Sequence, residues 1–472
     1  MTIFAETINR LDGILLAAIS GSVAQVIGLT IEADDFCVPV GALARIHRRH
    51  GAGSLEAEVV GFNHDRAILM PLGEGRGIAR GDSIELVHAR ARVGVGEGLL
   101  GRVLDALGNP LDGKPAPVAT ASRDVFGSPP AAMKRPPITQ PLTTGVRAID
   151  GLFTCGRGQR VGLFSGSGVG KSSLMGMLTR NTDADVIVVC LVGERGRELR
   201  DFLDNDLGEA GLKRACVVCA TSDQPPLIRV RAAFTATAIA EHFRDQGKNV
   251  LLLLDSVTRL ALAQREIGLS AGEPPTTRGY PPSVFAMLPR LLERAGANER
   301  GTITAFYTVL VEGDDVNEPI ADTVRGILDG HIWLSRDLAN RGHFPAIRID
   351  DSISRLMSSV TGEDHRALAA RLRRMHATYR QSEDLINIGA YQRGSSADID
   401  EAIAKMPAIR DFLQQKKDEK STLPTTVQAL TKSLADGKPA VAPAKLGPPP
   451  ARPAQPKSVH PLANRLPMRA AR

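Results

Sequence analysis

Residues 164–175 read FSGSGVGKSSLM, and the way this stretch folds decides how the rest of the chain is read. It follows the apolar run RVGLF (160–164) and leads into SLMGMLTR (173–180), so the expectation is a buried strand, a glycine-rich loop and a helix. That is the context in which G-x-x-x-x-G-K-[ST] forms a phosphate-binding loop. Counting back from Lys171, the first glycine of the pattern is replaced by Ser165, where the strand enters the loop. Gly166, Gly168 and Gly170 remain to let backbone N–H groups turn inward, and the helix N-terminus adds a dipole that favours anions. The loop Ser165, Gly166, Ser167, Gly168, Val169, Gly170, Lys171, Ser172 and Ser173 is therefore expected to hold ATP. Lys171 would neutralise the β- and γ-phosphates, and the Ser172 hydroxyl would ligate Mg²⁺.

Around the loop, the runs RVGLFS, VIVVCLVG, ACVVCA, VLLLLD and TITAFYTVL alternate with helical segments such as LIRVRAAFTATAIAEHFRDQ. Strands that are apolar throughout and separated by helices imply a parallel sheet covered on both faces, an α/β P-loop NTPase core. Two of the runs end in carboxylates, at the sheet edge where open α/β sheets bind ligands. Asp255 closes VLLLLD and suits outer-shell Mg²⁺ coordination beside Ser172. Glu194 lies just past its strand, 23 residues after Lys171, where it can polarise the water that attacks the γ-phosphate. Its alternative is simple pairing with Arg195 or Arg197.

The flanks have a different grammar. Phe4, Ile8, Leu11 and Leu15 stripe residues 2–18 as an amphipathic helix. From Ser22 to about Ala91, short β-type runs with Gly-rich turns suit a small barrel. Residues 108–141 are rich in Pro and Gly and read as an extended connection. Beyond Asp364, Leu368, Leu372, Met375 and Tyr379 stripe one helix, and residues 399–419 suggest a second. From Asp436 on there are nine prolines and little to bury, as in a disordered tail. The expected division is an N-terminal helix (1–20), a β-barrel (21–96), a nucleotide-binding ATPase domain (97–364), a helical domain (365–435) and the tail (436–472).

Composition excludes some classes. The five cysteines of the 472 residues are scattered, which argues against a disulfide framework and fits a reducing cytosol. Cys216 and Cys219 form C-V-V-C, read either as part of a buried strand or as a metal or redox pair. The net charge is +6, but residues 437–472 hold seven basic and no acidic residues, leaving 51 basic against 52 acidic in residues 1–436. The body is neutral, so a nucleic-acid-binding body is not expected. Gly13 to Ile31 is a run of 19 uncharged residues, nominally long enough to span a bilayer. Ser20-Gly21-Ser22 and Gln25 interrupt it, and it then alternates like a half-buried strand.

GEGLLGRVLDALGNPLDG (96–113), SGSGVGKSS, VGERGREL and DSVTRLALAQREIGLSAGEPPTTRGYPPSVF (255–285) together resemble the rotary-type ATPases. Within them they are most similar to the ATPases of type III protein export, the flagellum-specific ones in particular. The resemblance covers about residues 20 to 420. It implies an N-terminal barrel, a nucleotide-binding domain and a C-terminal helical domain assembled as a homohexamer. Glu194 falls on the family's catalytic glutamate. Phe344, in GHFPAIRI, falls where the family places an aromatic against the adenine ring, and Arg355, in DSISR, falls on the arginine finger that reaches the neighbouring subunit's γ-phosphate. Rotary synthases divide glutamate and finger between catalytic and non-catalytic chains. Here one chain carries both, which favours a self-sufficient ring with closed heterologous interfaces.

The resemblance implies an export motor at the cytoplasmic face of the membrane, acting on export substrates, their chaperones and the export gate. The N-terminal helix would bind a stator-like regulator or pack on the barrel. The loop 268–283 would line the ring's pore or an interface. The basic tail is a solvated linker or a weak attachment to an anionic membrane surface. An injection-system ATPase shares nearly every motif. An RNA-translocating hexamer would need stacking aromatics in its N-terminal domain, and the first 95 residues offer only Phe4, Phe36 and Phe62. A synthase subunit fits the combined site poorly.

Overall fold

The computed structural model describes residues 19–49, 53–311, 315 and 318–435. The expected N-terminal helix over 2–18 and the proline-rich tail from 436 lie outside these residues. From Ser20 the chain builds a closed six-stranded barrel from β1 (Ser20–Ile27), β2 (Thr30–Asp34), β3 (Leu43–His47), β4 (Ser54–Asn63), β5 (Arg66–Pro71) and β6 (Ser83–His88), in the order β1-β2-β5-β4-β3-β6. Closure leaves no edge strand to pair with another chain. Alternate residues turn inward, with Val23, Ile31, Ile46, Val59, Leu69 and Ile84 filling a core of their own. Ala33, Ala44, Ala57 and Ala67 keep that interior narrow enough to close. The uncharged run tested for membrane spanning is, from Ser20, barrel strand; among the described residues no helix is long and apolar enough to cross a membrane.

The second layer is a twisted sheet of β7 (Arg102–Leu104), β8 (Arg160–Ser165), β9 (Val186–Glu194), β10 (Ala215–Thr221), β11 (Asn249–Asp255), β12 (Thr302–Leu310), β13 (Gly330–Leu334) and β14 (Ile347–Ser354). Their order is β14-β13-β8-β12-β11-β9-β10-β7, and the two residues Gly296–Ala297 pair antiparallel with β12. The strands from β7 to β13 run parallel, while β14 returns antiparallel along the edge. The five apolar runs form the expected strands; β7, β13 and β14 are additional. Cys216 and Cys219 lie three apart on β10, so a strand's two-residue period sends them to opposite faces, one into each of the two cores that flank the sheet. The pair is core and cannot close on one ion or one disulfide. Burial pushes both thiols up to about 12.

Helices cover both faces: α1 (Lys171–Asn181), α2 (Pro226–Asp245), α3 (Val257–Ser270), α4 (Pro282–Leu292), and the short α5 (Arg336–Asn340). Pro226 opens α2 at a position where a missing N–H costs nothing, and its alanines at 232, 233, 236, 238 and 240 are fully buried, letting the helix lie close against the sheet. α2 also carries Arg231, which forms a buried ion pair of 3.3 Å with Glu58 on β4 and so ties barrel to core.

The last region is helical: α6 (Glu363–Asn387), α7 (Ala397–Leu413) and α8 (Leu423–Leu434). Leu372 and Met375 of the expected stripe are buried, and Leu368 and Tyr379 pack beside them. The second helix stops at Leu413 rather than 419, because Gln415 turns back to donate its N–H to the Phe344 carbonyl at 2.9 Å. α8, which the sequence reading missed, starts on a capping box of Thr422 and Thr425.

Candidate functional site

β8 ends at Ser165 and α1 begins at Lys171, so the loop sits at the carboxyl edge of the sheet. Gly168 and Gly170 have φ of 78° and 86°, the left-handed region that favours glycine. At Gly170 a side chain is doubly excluded, since an added Cβ would lie 3.2 Å from the Phe344 ring. The loop opens on a cavity of about 710 Å³ lined by Ser165, Gly166, Ser167, Gly168, Gly170, Lys171, Ser172 and Ser173, and by Glu194, Glu198, Asp255, Arg259 and Arg336. Val169 alone of the loop turns away, into the core beneath. Its part in the site is therefore confined to its backbone.

The charges in the cavity are arranged in pairs. The Lys171 ammonium lies 2.5 Å from Asp255 and 3.6 Å from Glu194. Asp255 is held in place by the Thr308 hydroxyl at 2.6 Å. Arg259 donates to Glu194 at 3.3 Å and to the Gly193 carbonyl at 2.5 Å. Arg195 pairs with Glu198 at 3.3 Å, and neither Arg195 nor Arg197 pairs with Glu194 among the described residues. The simple pairing considered for Glu194 is thus not what occurs. Arg336 is the cavity's exception: no ion-pair partner for it is found among the described residues. Glu194 is nearly buried, and burial, a hydrogen bond with Glu198 and the charge of Asp255 together push its carboxyl up to about 7, against the pull of Lys171 and Arg259. The same hydrogen bond holds Glu198 below the usual carboxylate range.

The donor set suits a hard cation. Ser172 and Asp255 line one cavity and offer a hydroxyl and a carboxylate oxygen, ligands that Mg²⁺ accepts. On the far side of the loop lies a second cavity of about 700 Å³, which shares Gly170 and Ser173 with the first. Leu174, Met177, Phe344 and Pro345 form its apolar wall, and Gln414 to Lys417 close it. Phe344 is 45% exposed, so a ring face is open to a flat ligand. A charged cavity and an apolar one meeting at a phosphate loop match the two ends of a nucleotide.

Arg355 is elsewhere. It follows β14 directly, and Ser354 pairs with Gly330, at the end of the sheet from which β8 starts. β8 then runs six residues, roughly 20 Å at about 3.3 Å per residue, before delivering the loop. Arg355 is exposed, does not line the phosphate cavity, and has no ion-pair partner among the described residues.

Sequence reasoning missed Glu198, Arg259, Thr308, Arg336 and the turn 414–417. Two signals were available. Glu198 stands four residues after Glu194, and Arg259 four after Asp255 at the start of a helix capped by Ser256; one helical turn returns each to the cavity. Nothing in the sequence pattern marks the turn, because it reaches the site from a separate helical region.

The chain is similar to known proteins along most of its length. The nucleotide-binding domain of the ATP synthase alpha/beta family matches residues 145–354, the beta-barrel domain of the same family residues 23–87, and the T3SS EscN ATPase C-terminal domain residues 361–432. The "Flagellum-specific ATP synthase" of Bacillus subtilis (strain 168) is 58% identical over 412 residues, covering 87% of this chain and 94% of that protein. The "Type 3 secretion system ATPase" of Xanthomonas euvesicatoria is 51% identical over 87% of this chain and 93% of its own length. The assembled ATPase EscN from the enteropathogenic E. coli type III secretion system superposes with a TM-score of 0.83 at 45% identity, over 88% of this chain and 100% of that one. The chain belongs to the ATP synthase alpha/beta family, among the ATPases of type III protein export.

Proposed function

We propose that this member of the ATP synthase alpha/beta family hydrolyses ATP as the motor of flagellar type III protein export, in a ring of six identical subunits. Its division into barrel (21–96), nucleotide-binding (97–364) and helical (365–435) domains is part of that reading. Within one subunit, Lys171 and the backbone N–H groups at the start of α1 take the phosphates, and Phe344 stacks on the base. Mg²⁺, held by Ser172 with Asp255 behind it, would supply charge neutralisation between the β- and γ-phosphates. Glu194 orients the attacking water and receives its proton as oxygen adds to the γ-phosphorus and the bond to ADP breaks. A carboxyl titrating close to 7 is matched to that exchange at neutral pH.

The observation that carries the ring is the position of Arg355. An arginine side chain cannot bridge roughly 20 Å to its own phosphate loop, yet the residue is exposed and uncompensated. This supports its use as a finger in the neighbouring subunit's site, worth about 10³–10⁵ in rate. Export substrates, their chaperones and the export gate are the proposed partners, with a stator-like regulator engaging residues 2–18 and the basic tail favouring placement at the inner membrane face. Overall likeness favours the flagellar role over an injection-system one. Loss of filaments in the native host carrying Glu194→Gln, with injection intact, is the result expected.

The ring is tested by mixing. Alone, Lys171→Ala should be inactive and Arg355→Ala should keep only a residual rate, about 10³–10⁵-fold below the parent. Mixed, they should recover activity, because the intact site of one meets the intact finger of the other. Rate per mole of the parent should rise steeply with protein concentration until rings form. No recovery on mixing, with both variants assembling normally, would refute a finger donated between subunits.

A further inference from the structure

The residue before the finger is tied to the root of the phosphate-loop strand. Gln159, the residue before β8, is fully buried. Its side-chain oxygen accepts from the Gly156 N–H at 2.8 Å, and its side-chain nitrogen donates to the Asp329 carbonyl at 3.2 Å and to the Ser354 hydroxyl at 3.0 Å. The Ser354 hydroxyl donates in turn to the Thr154 carbonyl at 2.9 Å. The Asp329 carbonyl also accepts the Arg355 N–H at 3.0 Å. Asp329 is fixed in turn by Arg160, whose guanidinium meets its carboxylate at 3.0 and 3.1 Å and whose carbonyl accepts its N–H at 2.9 Å.

We propose that Gln159 and Ser354 are positioning residues for Arg355, holding the backbone at the base of the finger against the amino end of β8. The inference rests on Arg355 acting in a neighbour's site. Arg355 is exposed and has no ion-pair partner among the described residues, so the aim of the guanidinium depends on where its backbone is held. An edge strand has a neighbour on one side only, and β14 is the sheet's edge. Without the clamp the end of β14 would be held by its pairing to Gly330 and by the single Arg355 N–H bond to the Asp329 carbonyl. A displacement of about 1 Å at a reacting group costs on the order of 10²-fold in rate, so a loosened clamp should appear in turnover and not in nucleotide affinity. Gln159 lines neither cavity.

The test is steady-state ATP hydrolysis by assembled rings of Ser354→Ala, Ser354→Thr and Gln159→Met. Ser354→Ala should lower kcat about tenfold to a hundredfold with KM for ATP within about twofold of the parent. Ser354→Thr, which keeps the hydroxyl, should restore most of the rate. In an Arg355→Ala background Ser354→Ala should cost nothing more, since there is no finger left to aim. A loss that multiplies with that of Arg355→Ala, a raised KM, or an unchanged kcat would overturn the proposal. Gln159→Met must follow the same pattern, and this keeps the test decisive if Ser354→Ala does not assemble. If Arg355→Ala itself leaves kcat intact, it is the finger reading that fails.

Discussion

The pH dependence of turnover follows from the surroundings of Glu194. Burial first, then a hydrogen bond with Glu198 and the charge of Asp255, push its carboxyl up to about 7. If Glu194 must be ionised to receive the water's proton, about a tenth of the enzyme is competent one pH unit below that value. The ratio kcat/KM reports the free enzyme, so it should fall about tenfold from pH 8 to pH 6. The nucleotide's terminal phosphate titrates nearby, around pH 6, so the parent profile alone is not diagnostic. The diagnostic is Glu198→Gln, which removes the anionic acceptor while leaving the substrate's titration unchanged. Its limb should move to lower pH, and activity at pH 6 relative to pH 8 should rise. Phosphate release measured well below KM, with Mg²⁺ saturating, reads both profiles. A Glu198→Gln limb that stays in place or moves alkaline would refute the assignment. The same shift bears on stability. A carboxyl raised from 4.5 to about 7 on folding contributes stability that is present in full below about 4.5 and is lost as pH rises through 7. In the ligand-free protein the thermal midpoint of Glu194→Gln should therefore gain on the parent between pH 5 and pH 8.

Phe344→Ala should raise KM for ATP by about tenfold with kcat nearly unchanged, since stacking of a base on an aromatic is worth roughly 1–3 kcal/mol, and Phe344→Tyr should not. Gly170→Ala should weaken nucleotide binding, measured by titration calorimetry, because its backbone is left-handed and its Cβ would lie 3.2 Å from the Phe344 ring; affinity equal to the parent's would mean the loop relaxes freely. Arg294→Met should cost about 3–5 kcal/mol in chemical denaturation. Arg294 is wholly buried, grips Glu241 at 2.9 and 2.7 Å, and donates to the Val125 carbonyl at 2.6 Å, so its loss strands a buried carboxylate with only Arg123 to meet it.

Legibility in the sequence followed burial. The five largely apolar strands, buried from both faces, could be read because short β-branched apolar runs between helical segments suit the centre of a parallel sheet. β7 is three residues long and β13 carries His331 and Trp333, too short or too mixed to stand out. The helix expected to run to 419 ended early for a tertiary reason, the Gln415 bond to the Phe344 carbonyl, which no local signal encodes. Within the site, the residues named from the loop and from the strand ends line one cavity, because both kinds of signal mark the carboxyl edge of the same sheet. Glu198 and Arg259 escaped notice since each lies a helical turn away from the residue that carried the signal.

Arg355 is the instructive case, because resemblance alone gave it a role. Its strand has only a broken pattern: in IRIDDSIS, Ile347, Ile349 and Ser352 are buried while Asp350 and Asp351 face out, and the two-residue period slips where the register to β13 shifts. Between β13 and β14 twelve residues intervene, and these hold one five-residue helix, at the lower limit of what a crossover to a parallel neighbour needs. The strand returns antiparallel. Its last residue is then delivered to the amino edge of a sheet whose ligands bind at the carboxyl edge. An arginine there cannot serve its own site, whatever its side chain does. On the proposed reading, one chain carries Glu194 at one edge of the sheet and its finger, Arg355, at the other, and a second copy completes the site.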